Sequence, residues 1–218
     1  FRKVERLPGN VGYLRLDRFV DPELGGGTAA AAMSFLANTD ALIVDLRQNG
    51  GGTPLMVALL ASYLFESTPV HLNSIYDRLE DLTKQIWSYP YLAGPRYLGK
   101  DVFVLTAPRT FSGAEEFAYD LKALKRATIV GERTRGGAHP GSIRQVHEHF
   151  AVMVPTGRAI NPVTNSNWEG VGVEPDIAAP ADSALVVAHR AALTKLIEKT
   201  KDADRADGYR EALTLVGK

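Results

Sequence analysis

ALIVDLRQNGGGTPLMVALLASYLF, residues 41–65, decides the fold class. Its opening, ALIVDLR, is almost wholly apolar and ends in charge, the composition of a parallel strand covered on both faces. The run NGGGT supplies a turn. PLMVALLASYLF then places apolar residues at helical spacing behind a proline, which suits a first helical position. Strand, glycine turn and helix make one crossover unit.

Two more units follow the same plan. DVFVLTA (101–107) is a buried-strand pattern ahead of an amphipathic helix within PRTFSGAEEFAYDLKALKR (108–126), where Ala, Glu and Leu dominate. ATIVGE (127–132) is a third buried strand, and TRGGAHPG (134–141) is a loop by composition. Upstream, VGYLRLDRFV (11–20) alternates as a strand with one buried face. Gly25 to Gly27 are expected to break the chain before a helix in TAAAAMSFLANT (28–39), with Asn38 near its C-cap. Residues 71–100 have a mixed period and read as an irregular or hairpin excursion. HEHFAVMVPTGRAI (147–160) alternates as a strand pair would, and residues 183–213 read as helix with a charged break. Strands alternating with helices make the class α/β.

The 218 residues, 45% hydrophobic, suffice for one large domain. Lys plus Arg and Asp plus Glu number 25 each, so no global field favours nucleic acid, an anionic membrane or a polyacidic ligand. Without cysteine, disulfides, thiolate metal sites and a cysteine nucleophile are excluded. No apolar run approaches the roughly 20 residues that span a bilayer. The first residue is Phe1, so the N-terminus is expected to be processed or cut from something longer.

Three glycine-bearing turns, NGGGT, RTFSGAEEF and GERTRGGAHPG, each follow a buried strand and are expected to converge on one crevice at the carboxyl ends of the strands. Ser112 stands at a helix start, where free N–H groups favour a developing negative charge. A nucleophilic hydroxyl there would have the Gly113 N–H as oxyanion donor, and the NGGGT glycines would let a second N–H approach. The plainer reading is a helix cap, with Glu115 completing a capping box. His139 reads equally as an exposed loop residue. His147 and His149, alternating on a strand, would share a face, yet no third metal ligand is evident.

DLRQNGGG, TFSGAEEFAYDLKALKRATIVGERTRGG and WEGVGVEPDI together resemble the ordered motif set of the tail-specific (C-terminal-processing) serine peptidases. The branch most similar includes interphotoreceptor retinoid-binding protein and the tricorn-like peptidases. The resemblance covers about Gly12 to Ala192 and implies a crotonase-like α/β fold of stacked β-β-α units. It also implies residues 1–11 as an N-terminal remnant or linker, 12–195 as catalytic domain and 196–218 as a helical extension. By the same resemblance Ser112 is the nucleophile, and Gly113 with Gly51 or Gly52 forms the oxyanion hole. The implied activity is hydrolysis of peptide bonds through an acyl-enzyme on a polypeptide substrate, without cofactor or metal, in a periplasmic or extracellular setting.

One motif departs from that pattern. The family's dyad enzymes carry a lysine base in G-E-x-T-x-G-K-G, and GERTRGGA puts Gly137 at that place. The tricorn-like branch uses Ser, His and Glu instead, and its glutamate maps onto Glu169. The histidine is then either His139 or one from an N-terminal segment upstream of Phe1. The rival functions are a non-catalytic carrier of apolar ligands and, more remotely, acyl-CoA chemistry, for which no basic cluster is placed to hold a nucleotide phosphate.

Overall fold

Each stretch read as a buried strand lies in one sheet. The structure, a computed structural model, describes residues 1–217. In chain order its elements are β1 (Lys3–Leu7), β2 (Val11–Arg15), α1 (Pro22–Leu36), β3 (Ala41–Asp45), α2 (Pro54–Ser62), β4 (His71–Asp77), β5 (Leu82–Trp87) and β6 (Asp101–Thr106). Then come α3 (Gly113–Ala123), β7 (Thr128–Gly131), β8 (Gly141–His147), β9 (Phe150–Pro155), β10 (Gly157–Ile160), β11 (Ile177–Ala178), α4 (Ala184–Lys199) and α5 (Ala203–Leu215).

The main sheet runs β1-β2-β3-β6-β7-β11, parallel from β2 onward, with β1 antiparallel at its edge. Strand periodicity divides two cores. Leu42, Val44, Val102 and Val104 point to the side that α1, α2 and α3 cover. Ala41, Ile43, Phe103 and Leu105 point to the side covered by α4 and α5, where Leu193, Tyr209 and Ala212 pack. A sheet buried on both faces explains why these strands read as unbroken apolar runs. The fold is the α/β class expected.

Three local expectations are corrected. The glycines at 25–27 do not break the chain, because α1 begins at Pro22 under an Asp21 cap whose carboxylate accepts from the Glu23 N–H. Gly25 sits so close to its neighbours that a Cβ there would lie 2.6 Å from Val20 and 3.0 Å from Met56 of α2. Close helix packing thus outweighs the cost of a helix-interior glycine, about 1 kcal/mol. Second, Phe150–Pro155 and Gly157–Ile160 are strands but do not pair with each other: β9 pairs with β8, and β10 pairs with β4. Third, His147 ends β8 and His149 lies in the following turn, so the two do not share a strand face. There the register shifts between Gln145 and His147, and the Gln145 amide donates to the His147 carbonyl. The 71–100 excursion contains the β4–β5 hairpin, which β10 extends to three strands.

Candidate active site

The carboxyl ends of β3, β6 and β7 launch three loops that are tied to one another. Thr110 Oγ1 donates to the Leu46 carbonyl at 2.9 Å, and the Phe111 N–H to the Asn49 carbonyl at 3.1 Å. The Arg135 N–H reaches the Thr110 carbonyl at 3.3 Å. Asn49 is fully buried and holds the first loop with its side chain, donating to the Leu16 carbonyl and accepting from the Gly51 N–H at 2.8 Å.

This anchoring presses backbone against backbone. A Cβ on Gly51 would lie 2.7 Å from the Phe111 carbonyl oxygen and 2.8 Å from Ser112 Cβ. Gly52 has φ 146°, and a Cβ there would meet the Phe19 carbonyl oxygen at 1.8 Å. Phe19 bonds across to Gly51 and Thr53, which turns the intervening Gly52 N–H away from it. Among the described residues the N–H groups of Gly52 and Gly113 have no acceptor, whereas that of Gly51 is taken by Asn49.

Ser112 is the N-cap of α3, with φ 54° and ψ −123°. A left-handed φ in a residue bearing a Cβ is a strained state that surrounding structure must enforce. What enforces it is Glu115. Fully buried, its Oε2 accepts from the N–H of Ser112 at 2.8 Å and of Gly137 at 2.9 Å. Its Oε1 accepts from the Gly136 N–H at 2.6 Å and Thr134 Oγ1 at 2.5 Å. The capping-box glutamate therefore clamps the third loop to the serine turn. Spacing showed only the local half of that role, because its other partners lie 19 to 22 residues on.

Glu169 clamps the same loop from outside. Its Oε2 accepts from the N–H groups of Ala138 at 2.6 Å and His139 at 3.0 Å. Beside it, buried Trp168 donates from its indole to the Gly137 carbonyl. The His139 ring lies with Nδ1 3.9 Å from Glu169 Oε2, too far for a hydrogen bond. No bond joins that ring to Ser112 among the described residues, although both border one cavity. At Gly137 a Cβ would meet the Phe111 ring at 2.2 and 2.4 Å, so the aromatic ring fills the space that a side chain there would need. His71 bonds Ser74 and stacks on Trp87, and His189 bonds the Pro8 carbonyl; neither borders the cavity, nor do His147 and His149.

The cavity, about 330 Å³, is bordered by Gly52, Ser112, Gly113, His139 and Glu169 together. It is also bordered by two buried groups absent from the sequence-based expectations, Glu116 and Asn73. Burial pushes the Glu116 carboxyl up to about 7, against the opposing effect of the Asn73 amide. Asp120, one turn on, is raised by its own burial and then by Glu116. Among the described residues no three His, Cys, Asp or Glu side chains gather as a metal site.

Comparison with known proteins places these loops in context. The model of a family described as peptidase family S41 matches residues 10–179. Carboxyl-terminal-processing peptidase 1, chloroplastic, of Arabidopsis thaliana is 28% identical over 177 residues, covering 80% of this chain and 34% of that protein. A carboxy-terminal-processing protease of Bartonella bacilliformis is 27% identical over 178 residues, covering 79% and 39%. The chain thus spans little more than a third of the length of these relatives. Among solved structures, the photosystem II D1 C-terminal processing protease superposes with TM-score 0.64 at 24% identity, over 79% of this chain and 43% of that one.

Proposed function

This chain belongs to peptidase family S41, and from that membership we propose that it hydrolyses peptide bonds by a serine acyl-enzyme route, with Ser112 as nucleophile. The observation that carries the reading is the pair of unclaimed N–H groups, Gly113 and Gly52, flanking a strained serine at a helix start inside a cavity. In this reading Ser112 Oγ attacks the scissile carbonyl carbon. The two N–H groups receive the oxyanion where charge develops, which is where preformed donors are most effective. Gly52 is favoured over Gly51 because the Gly51 N–H already serves Asn49.

A histidine takes the Ser112 proton and returns it to the leaving amine, and a water then repeats the sequence to free the acid. Two sources of that base remain consistent with the geometry. His139 borders the cavity with Ser112, and its ring makes no bond to Ser112 among the described residues. A histidine from an N-terminal segment would instead enter the cavity and find Glu169 Oε1, which takes no bond among the described residues, as its orienting group. The names of the relatives support the C-terminal tails of polypeptides as substrates.

Fluorophosphonate labelling tests the proposal. Wild type should be labelled at Ser112, and Ser112→Ala should not be labelled at all. Equal labelling of both would end the nucleophile assignment.

A further inference from the structure

The cavity beside Ser112 has apolar walls, including Ile75, Phe111, Met153 and Trp168, and an acidic floor that the hydrolytic mechanism does not use. Glu116 of α3 is only 4% exposed. Its Oε1 accepts from Asn73 Nδ2 at 3.1 Å, and its Oε2 receives no bond among the described residues. One turn along α3, Asp120 Oδ1 accepts from Asn161 Nδ2 at 3.0 Å. Asp120 Oδ2 is the only side-chain polar atom among the described residues that is both sealed from solvent and without a partner. Glu116 Oε2, equally unbonded, is therefore not sealed, and the space it meets is the cavity that Glu116 borders.

No lysine, arginine or histidine compensates either carboxyl. The groups that act on them are Asn73 and Asn161, plus Glu116 on Asp120. Neither takes part in an ion pair among the described residues. Two buried acids without a counter-charge are costly unless a proton or an incoming cation compensates them.

Resting on the peptidase reading above, we propose that Glu116, backed by Asp120, is the base of a specificity pocket for a long side chain with a cationic head, lysine or arginine, adjoining the scissile bond. The apolar walls take the methylene stem, and the head donates to Glu116 Oε2. A neutral side chain of equal length gains the walls alone and leaves the acid uncompensated, so the discrimination lies in the head group.

The test compares two peptidyl diphenyl phosphonates on the whole chain, one with lysine and one with norleucine next to phosphorus, alongside the unspecific fluorophosphonate. Wild type should react with the lysine reagent at least about tenfold faster than with the norleucine one. In Glu116→Gln, which keeps the shape and the Asn73 contact, that ratio should fall to about one. Calorimetric titration with n-butylammonium gives a second readout that needs no reactive serine: binding is expected to wild type and not to Glu116→Gln. If Glu116→Gln fails to fold by circular dichroism, the wild-type ratio and Asp120→Asn, expected to lower it, carry the test. A wild-type ratio near one with normal fluorophosphonate labelling and no n-butylammonium binding overturns the pocket and leaves the peptidase reading intact. Absent fluorophosphonate labelling with n-butylammonium bound only by wild type overturns the serine mechanism and supports the cationic pocket. Absence of both overturns the two together.

Discussion

At the scale of single residues, Ser112 pairs a proposed role with a strained conformation. Its φ of 54° costs a residue with a Cβ of order 1–3 kcal/mol, and glycine almost nothing. Ser112→Gly is therefore expected to unfold at higher urea than Ser112→Ala while both lose hydrolysis. An ordinary helix cap also tolerates glycine better than alanine, so the strain is read against wild type: Ser112→Gly should unfold at higher urea than wild type, whereas loss of a cap alone would lower its stability by about a few tenths of a kcal/mol. Glu115 holds that conformation. Glu115→Gln puts an amide N–H₂ where two buried donors converge on each oxygen, and should cost about 1–3 kcal/mol in urea unfolding, with loss of serine labelling. The base is tested by His139→Ala in this chain: a fall in labelling of about a hundredfold or more assigns the proton transfer to His139. Unchanged labelling excludes His139 as the base. The helix start at Ser112 was legible because a serine opening an S-x-x-E helix after a buried strand is a local pattern, while the proposed nucleophilic role rests on the family resemblance. Glu116 was not, since on α3 it reads as one more helix-forming glutamate, and its burial against Asn73 depends on the distant β4 hairpin.

At the scale of elements, the loop after β7 shows how a missing side chain is replaced. The Phe111 ring occupies the space over Gly137, with the Arg135 guanidinium 5.1 Å from the ring centre. Gly137→Lys should thus destabilise by about 1–3 kcal/mol through overpacking and bring no new activity. Combined with Phe111→Ala it should cost less than the sum of the two single changes, a coupling that denaturant titration of the four proteins would measure. A ring that simply swung aside would make the effects additive. The helices α2 and α3 were readable from their own patterns, and so was the strand character of β3, β6 and β7. The start of α1 was not, because three successive glycines favour a break locally and only the contact of Gly25 with Val20 and Met56 accounts for helix there.

For the molecule as a whole, the buried acids link stability to pH. The folded-state value of Glu116, about 7, lies above its ordinary 4.5, so between these values the folded protein binds more protons than the unfolded chain. Stability is then favoured below the ordinary value and lost as pH rises through 7. The groups facing Glu116 are Asn73 from β4 and Asp120 on its own helix, and neither supplies positive charge. Urea unfolding of wild type from about pH 5 to about pH 8 should show a decline that Glu116→Gln reduces. A decline of equal slope in the variant would mean that other groups bind those protons. By itself the sequence determined the α/β class, the order of strand, turn and helix, and the convergence of three glycine turns with Ser112 among them. These rest on apolar periodicity and on turn composition, which act between neighbours in the chain. Only the tertiary structure decided that Gly52 keeps its N–H free while Gly51 gives its own to Asn49, that Glu115 joins two loops, and that Glu116, of an uncompensated acid pair, borders the same cavity as Ser112. Each of those depends on burial and hydrogen bonds between residues far apart in the chain, where no local spacing carries a record of the partner.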